Sequence, residues 1–171
     1  MERIAYRERD CRDTVRIDRF LGEERTGIVA VGGDTHPYAV PVNFVWHEGA
    51  VFFHGMGSGK RVRLLAENPK VCFTVFRDGG TVLDPVACHV DTSYFSVVVL
   101  GRAERLTDPG QAASALGLIV EKYAPGRFSQ SISARLVERY RSSLDHNPVA
   151  VHRITVEGLT AKENRIPPGG G

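Results

Sequence analysis

The stretch Gly55-Met-Gly-Ser-Gly-Lys60-Arg61 follows an apolar run, Val51-Phe-Phe-His54, and precedes a segment of helical pattern. A strand, a glycine-rich turn and a helix start can together hold a phosphate. Backbone N–H groups in such a turn point at the anion, and a lysine adds a full charge. The segment is not the GxxxxGK[ST] phosphate loop, which would need glycine at 54, where His54 stands, and Ser or Thr at 61, where Arg61 stands. Nor is it the dinucleotide fingerprint GxGxxG, whose last glycine would fall on Lys60. The plainer reading is an exposed turn carrying a solvated lysine.

Other residues with chemistry to offer are scattered. His54 ends an apolar strand beside the glycine turn and is the one candidate acid or base. Asn43 interrupts an apolar run, and Ser96 lies within Tyr94-Phe-Ser-Val-Val, where a small polar side chain can face a cavity. Each also has an ordinary structural reading. The three cysteines, Cys11, Cys72 and Cys88, form no CxxC pair, and the six histidines form no HExxH. Neither a disulfide framework nor a metal centre is expected.

Composition narrows the classes. The 171 residues suit one domain, taken as 1–165, with the Pro/Gly tail 166–171 expected to be flexible. Basic residues exceed acidic ones by 22 to 20. That balance argues against a nucleic-acid binder, which carries a clustered basic footprint. The basic residues are 18 arginines and only four lysines, Lys60, Lys70, Lys122 and Lys162. A scarce residue type at the end of the glycine turn marks Lys60 out. The start of the chain is charged where a secretory signal would be apolar, and no apolar run is long enough to span a bilayer. A cytoplasmic, reduced protein without membrane contact is expected.

The elements that must position these residues are mostly strands. Gly27–Gly32, Tyr38–Trp46 and Val51–His54 read as an antiparallel meander, with the turn at His47-Glu-Gly-Ala50. Pro41 inside the second run cannot donate to a ladder and marks an edge or a bulge. Val71–Phe76, Ser93–Leu106 and Val149–Leu159 read as further strands, the second with Val97–Leu100 buried on both sides and a bend at Gly101. Residues 77–92 read as polar and turn-rich. Asp13 begins a helix that Gly22 ends. Lys60–Glu67 forms another, with Val62, Leu65 and Ala66 inward. Asp108-Pro109 starts a third, and Ser133–Tyr140 a fourth. Six strands and peripheral helices predict a small mainly β barrel.

Taken in order, five stretches resemble the pyridoxamine 5′-phosphate oxidase-like FMN-binding split-barrel superfamily, and within it the nitroimidazole-resistance flavoproteins. They are His36–Val45, Val51–Gly55 with Gly59-Lys60, Asn68–Phe73, Ser93–Gly101 and Ile154–Asn164. The helix with Ala115-Leu116 and Glu121–Pro125 also fits, so the likeness spans roughly residues 25–165.

The resemblance implies a six-stranded antiparallel split barrel that forms a homodimer with flavin sites at the interface. It implies FMN against Pro41, Val42, Asn43 and Phe44, with the phosphate at His54, Ser58, Gly59, Lys60 and Arg61. A loop ending on one terminal phosphate suits FMN better than FAD. Ser96 would line the site, Lys162 and Asn164 would approach the partner subunit's flavin, and His54 would lie close to flavin and substrate. The implied activity is two-electron or hydride transfer to a small electron-poor substrate, a nitro compound among the candidates. A deazaflavin (F420) reductase and a non-redox flavin- or haem-binding protein are the alternatives. Arg165 stands where the family often has an aromatic residue. The longer C-terminal substrate segment of the pyridoxamine phosphate oxidases proper is missing, which speaks against that activity. Arg61 could join the phosphate site or face solvent.

Overall fold

Apolar side chains alternate along the strands: Val29 and Val31, Val42 and Phe44, Val51 and Phe53, Val71, Phe73 and Val75, Val97 and Val99 are all buried. One face of each strand therefore lines a common interior. The computed structural model describes residues 4–33 and 35–165. The predicted flexible tail 166–171 lies outside the described residues.

Strand β1 is the two-residue Asp10–Cys11, followed by β2 (Thr26–Val31), β3 (Tyr38–His47), β4 (Ala50–Gly55), β5 (Lys70–Val82), β6 (Asp91–Arg105) and β7 (Ala150–Asn164). The sheet order is β1-β7-β4-β3-β2-β5-β6, and β7 also pairs with β6. That last pairing closes β2 to β7 into a six-stranded antiparallel barrel. Strand β1 was not expected; it pairs with Ala161 and Lys162, beyond the part of β7 that β4 covers. Within the barrel, Phe44 meets Phe73 edge to face with centroids 4.9 Å apart.

Among the described residues four α-helices lie outside: α1 (Thr14–Glu23), α2 (Lys60–Glu67), α3 (Pro109–Tyr123) and α4 (Ala134–Arg139). Asp13 caps α1 by accepting from Arg16 N–H at 3.0 Å, and Asp108 caps α3 by accepting from Gln111 N–H at 2.8 Å. Each satisfies a donor that the first helical turn leaves open. α1 covers one barrel end with Ile17, Phe20 and Leu21, and Phe20 lies against Phe95 at 4.6 Å.

Three sequence expectations change. The turn-rich 77–92 is mostly a hairpin: β5 runs to Val82 and β6 begins at Asp91. A register shift between Asp78 and Gly80, with Gly80 at φ +95°, absorbs the glycines that looked like a turn. In α2 the buried residues are Leu64 and Leu65, while Ala66 is exposed. Strand β6 is buried on one side only, since Leu100 is 41% exposed. The bend at Gly101 is present. The β6–β7 register shifts there, and a Cβ on Gly101 would run into Thr155 O.

Candidate functional site

The β3–β4 hairpin turns on Glu48 and Gly49, both at positive φ, and its ladder runs from His47–Ala50 to Phe44–Phe53, where it stops. Beyond that point β3 stays with β2 and β4 stays with β7, which leaves a gap at the barrel mouth. Continuing the register would set Asn43 opposite His54, so these two residues flank the start of the gap.

The Tyr123 hydroxyl accepts from Phe44 N–H at 2.8 Å and has the Arg25 and Phe44 carbonyls as its acceptors. Phe44 therefore turns its backbone toward β2, and residues alternate along a strand. The backbone groups of Ala39, Pro41 and Asn43 consequently face the gap, unpaired by any strand. The β2–β3 register runs through Ile28–Pro41 without a shift. Pro41 thus marks an open edge rather than a bulge, and its missing N–H sits on the side with no strand partner.

Lys60 and Arg61 stand across this gap. Gly59, at φ +104°, begins α2 without a side-chain cap. Lys60 Nζ lies 4.7 Å from the centroid of the Tyr38 ring. Arg61 turns inward. Its guanidinium lies 5.4 Å from the Phe53 centroid and fills the place a side chain at Gly55 would take. Arg61 Nε is buried without a hydrogen-bond partner, and among the described residues no carboxylate pairs with Arg61. Burial pushes the Arg61 pKa down from its ordinary value.

Two imidazoles border this cation. His54, partly exposed on the outer face of β4, is held below the ordinary histidine pKa, first by desolvation and then by Arg61. His152, opposite Phe53 on β7, stacks on that ring at 5.0 Å and 9° and is only 2% exposed. Desolvation, then Arg61 and Arg105, lower it to about 4. Its Nδ1 is buried and unpartnered. At neutral pH the mouth thus presents Lys60 and Arg61 as its cations and both histidines uncharged.

The predicted site residues fall into two groups. Pro41, Val42, Asn43, Phe44, His54, Ser58, Gly59, Lys60 and Arg61 surround the mouth. Val42 and Phe44 point into the core, so they offer backbone rather than side chain. The Ser58 hydroxyl is committed to Asp145 at 2.8 Å. Ser96, Lys162 and Asn164 form a second group. Ser96 opposes Lys162, and Tyr94 opposes Asn164. Lys162 is twelve residues along β7 from the mouth, at Ala150, roughly 40 Å of extended chain. Ser96 faces the outside of the barrel rather than an enclosed cavity.

Sequence reasoning missed Tyr38, Gly55, His152 and the helical flank. His54, Leu116, Ile132, Leu136, Val137, Tyr140 and Val149 line a hollow of about 230 Å³. The helical spacing of Leu136, Val137 and Tyr140 within the expected helix Ser133–Tyr140 is the sequence signal that points to it. Among the described residues there is no group of three or more His, Cys, Asp or Glu placed to hold a metal, and no helix is long and apolar enough to cross a membrane.

A sequence model of the family described as pyridoxamine 5′-phosphate oxidase matches residues 13–163. A search of curated proteins finds no match. Solved structures share the fold. The flavocytochrome Anf3 from Azotobacter vinelandii is similar at TM-score 0.79 and 23% identity, over 96% of this chain and 73% of that one. A candidate 5-nitroimidazole antibiotic resistance protein from Bacteroides thetaiotaomicron is similar at TM-score 0.70 and 24% identity, over 90% and 85%. An FAD and haem binding protein from Mycobacterium smegmatis is similar at TM-score 0.74 and 20% identity, over 92% and 74%.

Proposed function

Because the chain belongs to the pyridoxamine 5′-phosphate oxidase family, we propose that it is an FMN-dependent oxidoreductase acting on a small electron-poor substrate, a nitro compound among the candidates. One observation carries this reading: the half-buried Arg61 guanidinium, with an orphaned Nε, stands beside Lys60 at the unpaired edge of β3. A desolvated cation without a carboxylate is costly unless an anion completes it. A terminal phosphate supplies that anion, and Lys60 and Arg61 would hold it. The free backbone groups of Ala39, Pro41 and Asn43 would read the polar rim of a flat ring system.

The flavin, when bound, supplies the electron transfer, and the chain binds and orients it. His54 enters uncharged at neutral pH, so it offers one N–H donor and one ring-nitrogen acceptor to the substrate without drawing a counter-ion. Ser96, Lys162 and Asn164 reach such a site only from a second subunit. The outer barrel face favours a homodimer, because Ile28, Phe76 and Leu100 are 47%, 54% and 41% exposed there.

The absorbance spectrum of the purified protein, with added FMN, FAD, deazaflavin and haem as comparisons, tests the cofactor. FMN bound more tightly than the others supports the reading, and a Soret band or exclusive deazaflavin binding overturns it. Lys60→Ala is expected to weaken FMN binding about tenfold or more, the worth of one charge-assisted hydrogen bond. Equal affinity in that variant and wild type removes Lys60 from the phosphate site. Reduction of the bound flavin by NADH or NADPH separates an enzyme from a flavin store.

A further inference from the structure

We propose that the hollow between α3 and α4 binds one uncharged aromatic ring, and that under the flavin reading above it seats the apolar body of the substrate. His54 belongs to both places. It flanks the gap at the end of β4, and its side chain also lines the hollow. A molecule held in the hollow therefore reaches the mouth through a single imidazole.

The chemistry of the lining selects the ligand. Leu116, Ile132, Val137 and Val149 contribute hydrocarbon alone, and only His54 and Tyr140 bring polar side-chain atoms. The arrangement of an apolar cavity with very few polar groups is that of a small-molecule site. An ion would gain no charged partner from this lining, so an uncharged ligand with one hydrogen-bonding substituent is favoured. Size narrows it further. An apolar cavity of about 150 Å³ takes up benzene, and pockets for drug-sized ligands begin near 300 Å³. The hollow, at about 230 Å³, lies between them and suits a single ring with a short substituent.

Helix α4 explains why the hollow is not simply core. It has six residues and buries none of them. Leu136 and Tyr140 remain 55% and 49% exposed although they border the hollow. The apolar face of α4 is thus turned toward a space that the chain does not fill.

The test uses acetophenone as the single-ring probe and 1-acetonaphthone as a fused-ring comparison, without any electron donor. Binding is measured by calorimetry and by the NMR shift of the His54 ring proton. Acetophenone is expected to bind wild type and to shift His54, with 1-acetonaphthone at least tenfold weaker. Val137→Trp, which fills the hollow, and Leu136→Asp, which charges its rim, are each expected to weaken acetophenone at least tenfold. Both should keep the wild-type flavin spectrum. The proposal is overturned if acetophenone does not bind wild type, or if a folded variant binds it as tightly. Leu136 is exposed enough that its variant carries the test should Val137→Trp fail to fold. Acetophenone binding lost in these variants, in a protein that takes up no flavin, would keep the hollow and remove the flavin reading instead.

Discussion

Arg61 lays its guanidinium over the Phe53 ring, 5.4 Å from the centroid, in the space that the missing side chain of Gly55 leaves open. Its Nε is buried there without a partner. An unpaired buried donor costs about 1–3 kcal/mol, and the half-exposed rest of the group discounts that. Arg61→Met keeps the stem and removes the charge. The ligand-free variant should melt about 2–4 °C higher, following roughly 1 kcal/mol of relief. Its FMN affinity should fall about tenfold to a hundredfold, the worth of a charge-assisted hydrogen bond. Thermal melting with and without FMN checks both halves. A variant that melts lower and binds FMN normally would make Arg61 a structural residue only.

Lys60 and Arg61 show how unevenly the site was legible. Lys60 could be singled out because lysine is scarce in this chain and this one closes a glycine turn. The orientation of Arg61 could not be read, because it depends on the open space at Gly55 across the mouth. Pro41 announced an edge or a bulge; choosing between them needed the backbone direction of Phe44, which the Tyr123 hydroxyl reveals. The barrel strands were legible wherever apolar residues alternate, as in Val29/Val31 and Val97/Val99. The β5–β6 hairpin was hidden by Gly79-Gly80, which serves as a bulge within paired strands. The stacking of His152 on Phe53 was invisible, since the two lie far apart in the chain, and of the hollow only the apolar spacing along α4 could be read, since His54, Leu116 and Val149 join it from elsewhere.

Tyr123 is a tie between α3 and the ends of β2 and β3. Its hydroxyl receives Phe44 N–H at 2.8 Å and reaches the carbonyls of Arg25 and Phe44. Tyr123→Phe keeps the ring, and with it the contact to the Arg25 guanidinium at 4.6 Å. It leaves the half-buried backbone groups without their partner, at about 1–3 kcal/mol. The melting temperature should drop by about 2–10 °C. Faster amide exchange at Phe44 would locate the loss on this edge, and an unchanged melting curve would remove the tie from the stability of the fold.

Lys122 sits 4.2 Å from the centroid of the Phe44 ring, and its Nζ donates to Leu21 O at 3.3 Å. Desolvation first, then Arg25, bring it down to about 8 from 10.5. Here the folded chain holds the proton less tightly than the unfolded chain. Stability should therefore rise as pH climbs from about 8 toward 10.5 and stay level below that window. Lys122→Met keeps an apolar stem over Phe44 and should remove that rise. Urea midpoints at neutral and alkaline pH, wild type against variant, measure it. Parallel pH profiles in the two proteins would show that Lys122 is not desolvated.

His152 supplies the opposite end of the pH profile, and its neighbour makes the prediction specific. The imidazole is 2% exposed, stacks on Phe53 and is lowered to about 4 from 6.5, first by burial and then by Arg61. Since the folded state resists protonation, the unfolded state takes up the proton first as the solution is acidified. Stability is full above about 6.5, falls as pH drops toward 4, and levels off below it. The loss is at most about 3 kcal/mol from this group. His152→Phe preserves a ring against Phe53 and has no proton to gain, so its acid slope should be shallower by that amount. A merely buried histidine would predict the same slope whatever stands at position 61. Arg61→Met removes a like charge from beside the ring, so the His152 titration, followed through its Cε1 proton by NMR, should move upward while the stacked position holds. An unmoved titration in that variant would mean that burial and Arg105 set the value without the Arg61 guanidinium.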